Sequence, residues 1–234
     1  MGSIIATSVK LIITVTVALI GVITLGFVLV PPATRRFTDA WGATPEEIAA
    51  ALPGDTLFPA SREISTKAIT IAAPPATVYS LVQQMGQHRG GWYGWDWFYH
   101  ATGSSDFVDG HYSRRIVPEL QGVKVGDKIH INDMVAYAVA VADPGQALVL
   151  VAGSLTPEQL ASGSLPETWS ENSMAWVMNL TGDGATRLLL RMRADGTETG
   201  FARWLWNGPL NFGGAMFSHK TMVGIKRTAE ALSS

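Results

Sequence analysis

Apolar and polar positions alternate through much of the second half of the chain, in short blocks separated by turn residues. Ile129 and Ile131 share one face of Lys128–Asn132, and Val135, Tyr137, Val139 and Val141 share one face of the next block. Met174, Trp176, Met178 and Leu180 repeat the pattern. Leu188, Leu190 and Met192 then alternate with Arg187, Arg191 and Arg193. A period of two marks strands. Ile64–Ile71 is rich in β-branched residues and Ala147–Val151 is a continuous apolar run, so both read as further strands. Asp143-Pro144-Gly145 and Thr181-Gly182-Asp183-Gly184 are turn sequences. Strands in succession with short turns predict an antiparallel, meandering sheet with one solvated face.

Helical signals frame this block. Thr44-Pro45-Glu46-Glu47 is a capping box with proline at the first helical position, and its short helix stops at Pro53-Gly54. Pro74-Pro75 opens a helix through Val78, Leu81 and Val82 to about Met85. A last helix starts near Pro209. At 100° per residue, Phe212, Met216, His219 and Val223 form a stripe, with Ala215 beside it, and that stripe is expected to face the sheet.

Residues 11–30 carry no charged side chain. At ~1.5 Å per residue a helix of that length spans ~30 Å, the hydrocarbon thickness of a bilayer. A signal peptide has a shorter apolar core and a small-residue cleavage site, whereas this run ends in Val30-Pro31-Pro32, so a transmembrane anchor is expected. Lys10 and the amino terminus on one side balance Arg35 and Arg36 on the other, which leaves the orientation unassigned. The expected organisation is an anchor with its flanks over 1–34, a juxtamembrane linker with a short helix over 35–63, and one domain over 64–234.

Composition narrows the chemistry. Seventeen basic against 19 acidic side chains give a net charge of −2, with no basic excess to suggest nucleic acid. There is no cysteine, so thiol catalysis, disulfides and cysteine-held zinc are excluded. His88, His100, His111 and His130 lack metal-ligand spacing, so no metal is expected. No phosphate-binding loop, dinucleotide fingerprint or nucleophile elbow occurs, and no cofactor is expected. Between Trp92 and Tyr99 every residue except Gly94 and Asp96 is aromatic. The run is too continuous for an alternating strand, and Gly90, Gly91 and Gly94 disfavour a helix. A core, a membrane, a partner or a ligand must bury it.

Several stretches carry a resemblance. They include Trp41-Gly42-Ala43-Thr44-Pro45-Glu46-Glu47, Leu52-Pro53-Gly54-Asp55, Ile69-Thr70-Ile71-Ala72-Ala73-Pro74-Pro75 and Gly90-Gly91-Trp92-Tyr93-Gly94-Trp95-Asp96-Trp97. Arg115-Ile116-Val117-Pro118-Glu119, Val125-Gly126-Asp127 and Gly224-Ile225-Lys226-Arg227 complete them. Over about residues 40–232 the chain resembles the START-like helix-grip superfamily (SRPBCC, polyketide cyclase/dehydrase and lipid-transport proteins), in a membrane-anchored bacterial branch. The resemblance implies an α+β helix-grip fold, a curved antiparallel sheet around a long C-terminal helix, here preceded by one N-terminal transmembrane helix. It also implies an apolar cavity between sheet and helix. Residues 152–171, an insertion between two strands, depart from the compact pattern.

The expected function is binding of an apolar or amphipathic small molecule, lipid or polyketide-like, by a single-pass protein of the cell membrane. Tyr93, Trp95, Trp97 and Trp176 are expected as apolar walls, with Phe212 and Met216 opposite and Asp96 and His219 as polar orienting groups. No residue is assigned a catalytic role. One alternative is a cyclase or dehydratase using Asp96 and His219 as acid and base, which requires both to face one void. Another is a structural or interaction module without ligand. For His219 and Asp96 the bland readings are a core histidine and a helix cap or ion pair.

Overall fold

The computed structural model describes residues 34–59, 61–133, 136–152, 171–181, 184–195, 200 and 210–234. The anchor expected over 11–30, residues 153–170 of the insertion expected over 152–171, and Pro209, near which the last helix was expected to start, lie outside them. Among the described residues no helix is long and apolar enough to cross a membrane.

Six strands form one antiparallel sheet: β1 (Glu63–Ile71), β2 (Lys128–His130), β3 (Ala136–Asp143), β4 (Ala147–Ala152), β5 (Glu171–Leu180) and β6 (Thr186–Asp195), in the order β1-β6-β5-β4-β3-β2. Among the described residues five α-helical segments of more than one residue accompany it. They are α1 (residues 34–40), α2 (Pro45–Ala49), α3 (Pro75–Gln83), α4 (Asp96–Ala101) and α5 (Asn211–Ser233). An antiparallel sheet with a long C-terminal helix across it is the helix-grip arrangement. Strands β2 to β6 follow one another as neighbours, while β1 closes on β6.

The inner face holds the main core. Ile71, Leu148, Leu150, Trp176, Met178, Leu188 and Leu190 of the sheet pack with Val78 and Leu81 of α3 and with Met222, Ile225 and Ala229 of α5. Thus α5 meets the sheet through Ala215, Met222, Ile225 and Ala229, spaced by three, four or seven residues. The stripe expected from the sequence is displaced by about one residue, and Met216 is 38% exposed. Large side chains, Met222 and Ile225, and small ones, Ala215 and Ala229, are buried together on this face.

The outer face is not solvated throughout. Residues 43–58, expected as a linker, lie across it. Ala43 and Leu52 pack on Ala68, Ala147, Val177 and Leu189, and Phe58 is buried with Ala138 and Val151. The alternating arginines of β6 hold this segment. Arg191 is 3% exposed. Its guanidinium donates to the carbonyls of Glu47, Ile48 and Ala50 at the end of α2, to Asp55 Oδ2 and to Thr66 Oγ1, over 2.6–3.0 Å. Arg187 forks onto both oxygens of Glu47 at 2.7 and 2.9 Å, and Arg193 donates to Asp55 Oδ1 at 2.8 Å. The capping box of α2 is formed, with the Glu47 amide donating to Thr44 Oγ1 at 3.3 Å and the Thr44 amide to Glu47 Oε2 at 2.8 Å.

Candidate ligand-binding face

The aromatic run is built into the core rather than left as a free loop. Trp92 and Tyr93 are buried, and Tyr93 takes a positive φ of 55°. Its hydroxyl accepts from Gln84 Nε2 at 2.8 Å. The same amide nitrogen donates to the Arg115 carbonyl at 2.9 Å, while Gln84 Oε1 accepts from the Val117 amide and from Gln121 Nε2. This buried amide therefore uses both donors and both lone pairs, which locks the loop behind α3. Burial pushes the Tyr93 hydroxyl well above the ordinary tyrosine range.

The terminal helix pins the loop from the other side. Thr221 Oγ1 donates to the Trp92 carbonyl at 2.8 Å. At Gly224 a Cβ would overlap the Tyr93 carbonyl oxygen, so only glycine lets helix and loop meet there. Residues 96–101 then form α4, although no regular element was expected; Gly94 precedes this helix instead of interrupting it. Its rings gather on one residue of α5. Phe217 lies 4.6 Å from Phe98 and 5.1 Å from Trp95, centre to centre.

The expected site residues do not all share one place. Tyr93 and Trp176 are in the core, Trp95 and Phe212 are half-buried, and Trp97 is 67% exposed on α4. Phe212 stacks towards Phe37 of α1 at 6.0 Å. Asp96 opens α4, and its Oδ1 accepts from the Tyr112 amide at 3.2 Å. His219 instead stands between Phe37 and Trp41, at 5.8 and 4.3 Å. No hydrogen bond or ring contact joins Asp96 to His219. The structural reading of each accounts for its contacts: a loop staple for Asp96, a packed histidine for His219.

The polar groups that do lie on the inner face are others. Trp176 is 1% exposed, and among the described residues its Nε1 has no hydrogen-bond partner. Tyr79 Oη on α3 and Trp92 Nε1 are buried and unpartnered as well. Lys67, not singled out in the sequence, is 2% exposed on β1. Burial lowers its pKa from 10.5 to about 8 despite the field of Asp39 on α1. Its ammonium donates to Ser65 Oγ at 3.0 Å. The signal available was its parity: Lys67 alternates with Ile69 and Ile71, which face the core. Among the described residues no group of three or more His, Asp or Glu is arranged to hold a metal ion.

No protein family and no curated protein matches the chain. Solved structures with similar backbones include protein Ms6760 from Mycobacterium smegmatis, at 10% identity and a TM-score of 0.40, covering 73% of this chain and 90% of that one. The Aha1 dimer from Colwellia psychrerythraea matches at 16% identity and 0.38, over 71% of this chain and 96% of its own. The di-domain ARO/CYC StfQ from the steffimycin biosynthetic pathway matches at 14% and 0.39, over 72% and 51%. The helix-grip assignment rests on the strand order, the register and the terminal helix of this chain, not on these scores.

Proposed function

We propose that the chain is a membrane-anchored binding domain for an apolar or amphipathic small molecule held between the sheet and α5, with residues 11–30 as its single anchor. The observation that carries this reading is the indole N–H of Trp176, buried in the middle of the inner face without an acceptor. An unpartnered buried donor costs about 1–3 kcal/mol, and a ligand oxygen at that place offsets it. Leu148, Leu188, Leu190 and Met222 around it supply apolar walls. Because Trp176 is closed off from solvent, binding requires part of the surrounding shell to move. Acid–base catalysis by Asp96 and His219 has less support, since each is engaged by a different part of the structure.

Native mass spectrometry of the full-length protein released from detergent micelles tests the binding reading. The expected result is a co-purified apolar molecule that is lost or exchanged on delipidation. Bare chain in every preparation, with no thermal shift from added amphiphiles, would overturn it. The anchor is tested separately. Deleting residues 11–30 should release the protein from carbonate-washed membranes, and a deleted form that still pellets with them rules out a single anchor.

A further inference from the structure

We infer that the inner face takes a long-chain carboxylate, with its anionic end at the amine of Lys67 and its tail towards Trp176. This deepens the binding reading above and rests on it. Register places the groups. Lys67 is opposite Leu190 across β1 and β6, Leu190 is opposite Trp176 across β6 and β5, and Trp176 is opposite Leu148 across β5 and β4. Antiparallel partners project to the same face, so the four side chains form one row beneath α5. At one end of the row is an amine, in the middle an indole donor, and between and beyond them leucines.

The donor–acceptor balance selects the ligand. Lys67 carries three N–H donors, and among the described residues its one hydrogen-bond partner is Ser65 Oγ. Asp39 acts on it through space but forms no ion pair with it, and Thr38 Oγ1 donates to Asp39 Oδ1 at 2.7 Å. The indoles of Trp92 and Trp176 can only donate. Tyr79 Oη can donate or accept, so Gln87 Oε1 is the one atom of this set that can only accept. It belongs to a different cluster, since Gln87 Nε2 donates to Asp133. The interior therefore has donors to spare, and a ligand that supplies oxygen acceptors and one negative charge satisfies them. A phosphate dianion would call for a second cation or an arginine fork beside the lysine. The arginines of β6 all face outwards, committed to Glu47 and Asp55. One buried lysine suits a monoanion, which is a carboxylate on an apolar chain.

The test measures binding of dodecanoate, dodecanol and dodecylamine to the full-length protein in maltoside micelles, by calorimetry. Dodecanoate is expected to bind about tenfold or more tighter than dodecylamine. Lys67→Met is expected to abolish that preference while dodecanol binding persists. Should Lys67→Met fail to fold, Lys67→Gln removes the same charge and reads the same loss. Equal binding of dodecanoate and dodecylamine by the wild type, or a preference that survives in the variant, overturns the carboxylate site and leaves the binding domain standing. Failure of all three amphiphiles to bind overturns both.

Discussion

The imidazole of His219 meets the indole of Trp41 edge-on, with ring centres 4.3 Å apart and planes at 78°. The Trp41 carbonyl in turn accepts from the Ala68 amide at 3.0 Å, so one residue bridges the open edge of β1 and the terminal helix. Burial, with Lys220 nearby, holds the His219 pKa below its ordinary value of 6.5. A group whose folded pKa is depressed binds fewer protons when folded, so the stability it confers is present above 6.5 and is lost as pH falls through the lower folded value. The thermal midpoint should therefore drop between neutral and mildly acid pH, and His219→Leu should make that drop shallower. An unchanged pH profile in the variant would show that His219 does not titrate against this packing.

Lys67 gives the same sign at the other end of the scale. Its folded pKa is about 8 against 10.5 unfolded, so between these values the unfolded chain binds more protons and stability rises with pH. The full span corresponds to at most on the order of 3 kcal/mol. Lys67→Met should stabilise the protein at pH 7 and remove that rise; the difference between the two urea-unfolding profiles isolates it from tyrosine ionisation.

Glycines of α5 should respond in opposite directions to alanine. At Gly224 a methyl group overlaps the Tyr93 carbonyl, and forcing helix and loop apart should cost about 1–3 kcal/mol. At Gly214 nothing lies within 4 Å, and Gly214→Ala should stabilise by roughly 0.5–1 kcal/mol through helix propensity. Denaturant midpoints of the two variants check both signs.

Arg191→Met should loosen residues 44–58 from the sheet. It leaves the carbonyls at the end of α2 without their donor and half of the Asp55 pairing unmet, at a cost of about 3–5 kcal/mol. Lysine should not rescue it, because one ammonium cannot reach five acceptors in a fork. Hydrogen exchange should rise over residues 44–58 first, ahead of β6 itself.

Met222→Asp should unfold the domain, while Met216→Asp should cost far less, since Met222 is fully buried and Met216 is 38% exposed. Equal loss in both would return α5 to the phase expected from sequence.

These residues also show what was legible. Alternation located the strands, and the capping box located α2, because those signals are local. The phase of α5 was misread because the stripe was anchored on Phe212 and Met216 near the start of the helix, whereas the buried face runs through Ala215, Met222, Ile225 and Ala229. The bulge between Val139 and Val141 puts the two out of step in the β3–β4 register, and nothing in their spacing announces it. Arg187, Arg191 and Arg193 looked like a solvated face because their acceptors lie far away in sequence. Alternation put Trp176 on the inner face, where it is buried. Lys67 was missed because a lysine in a strand reads as solvent-facing until the register is known.

The arginine clasp on the outer face also sets an order of events during synthesis. Its hydrogen bonds join residues 136–144 positions apart. At translation rates of ~5–20 residues per second, residues 44–58 wait roughly 7–30 s for β6 to be made. Until then Leu52 lacks Leu189 beneath it, and the segment lacks the guanidinium groups that hold it to the sheet. Docking of this early-made segment is therefore a late step, and a nascent chain halted before Arg191 holds it unpaired and open to aggregation or to a chaperone.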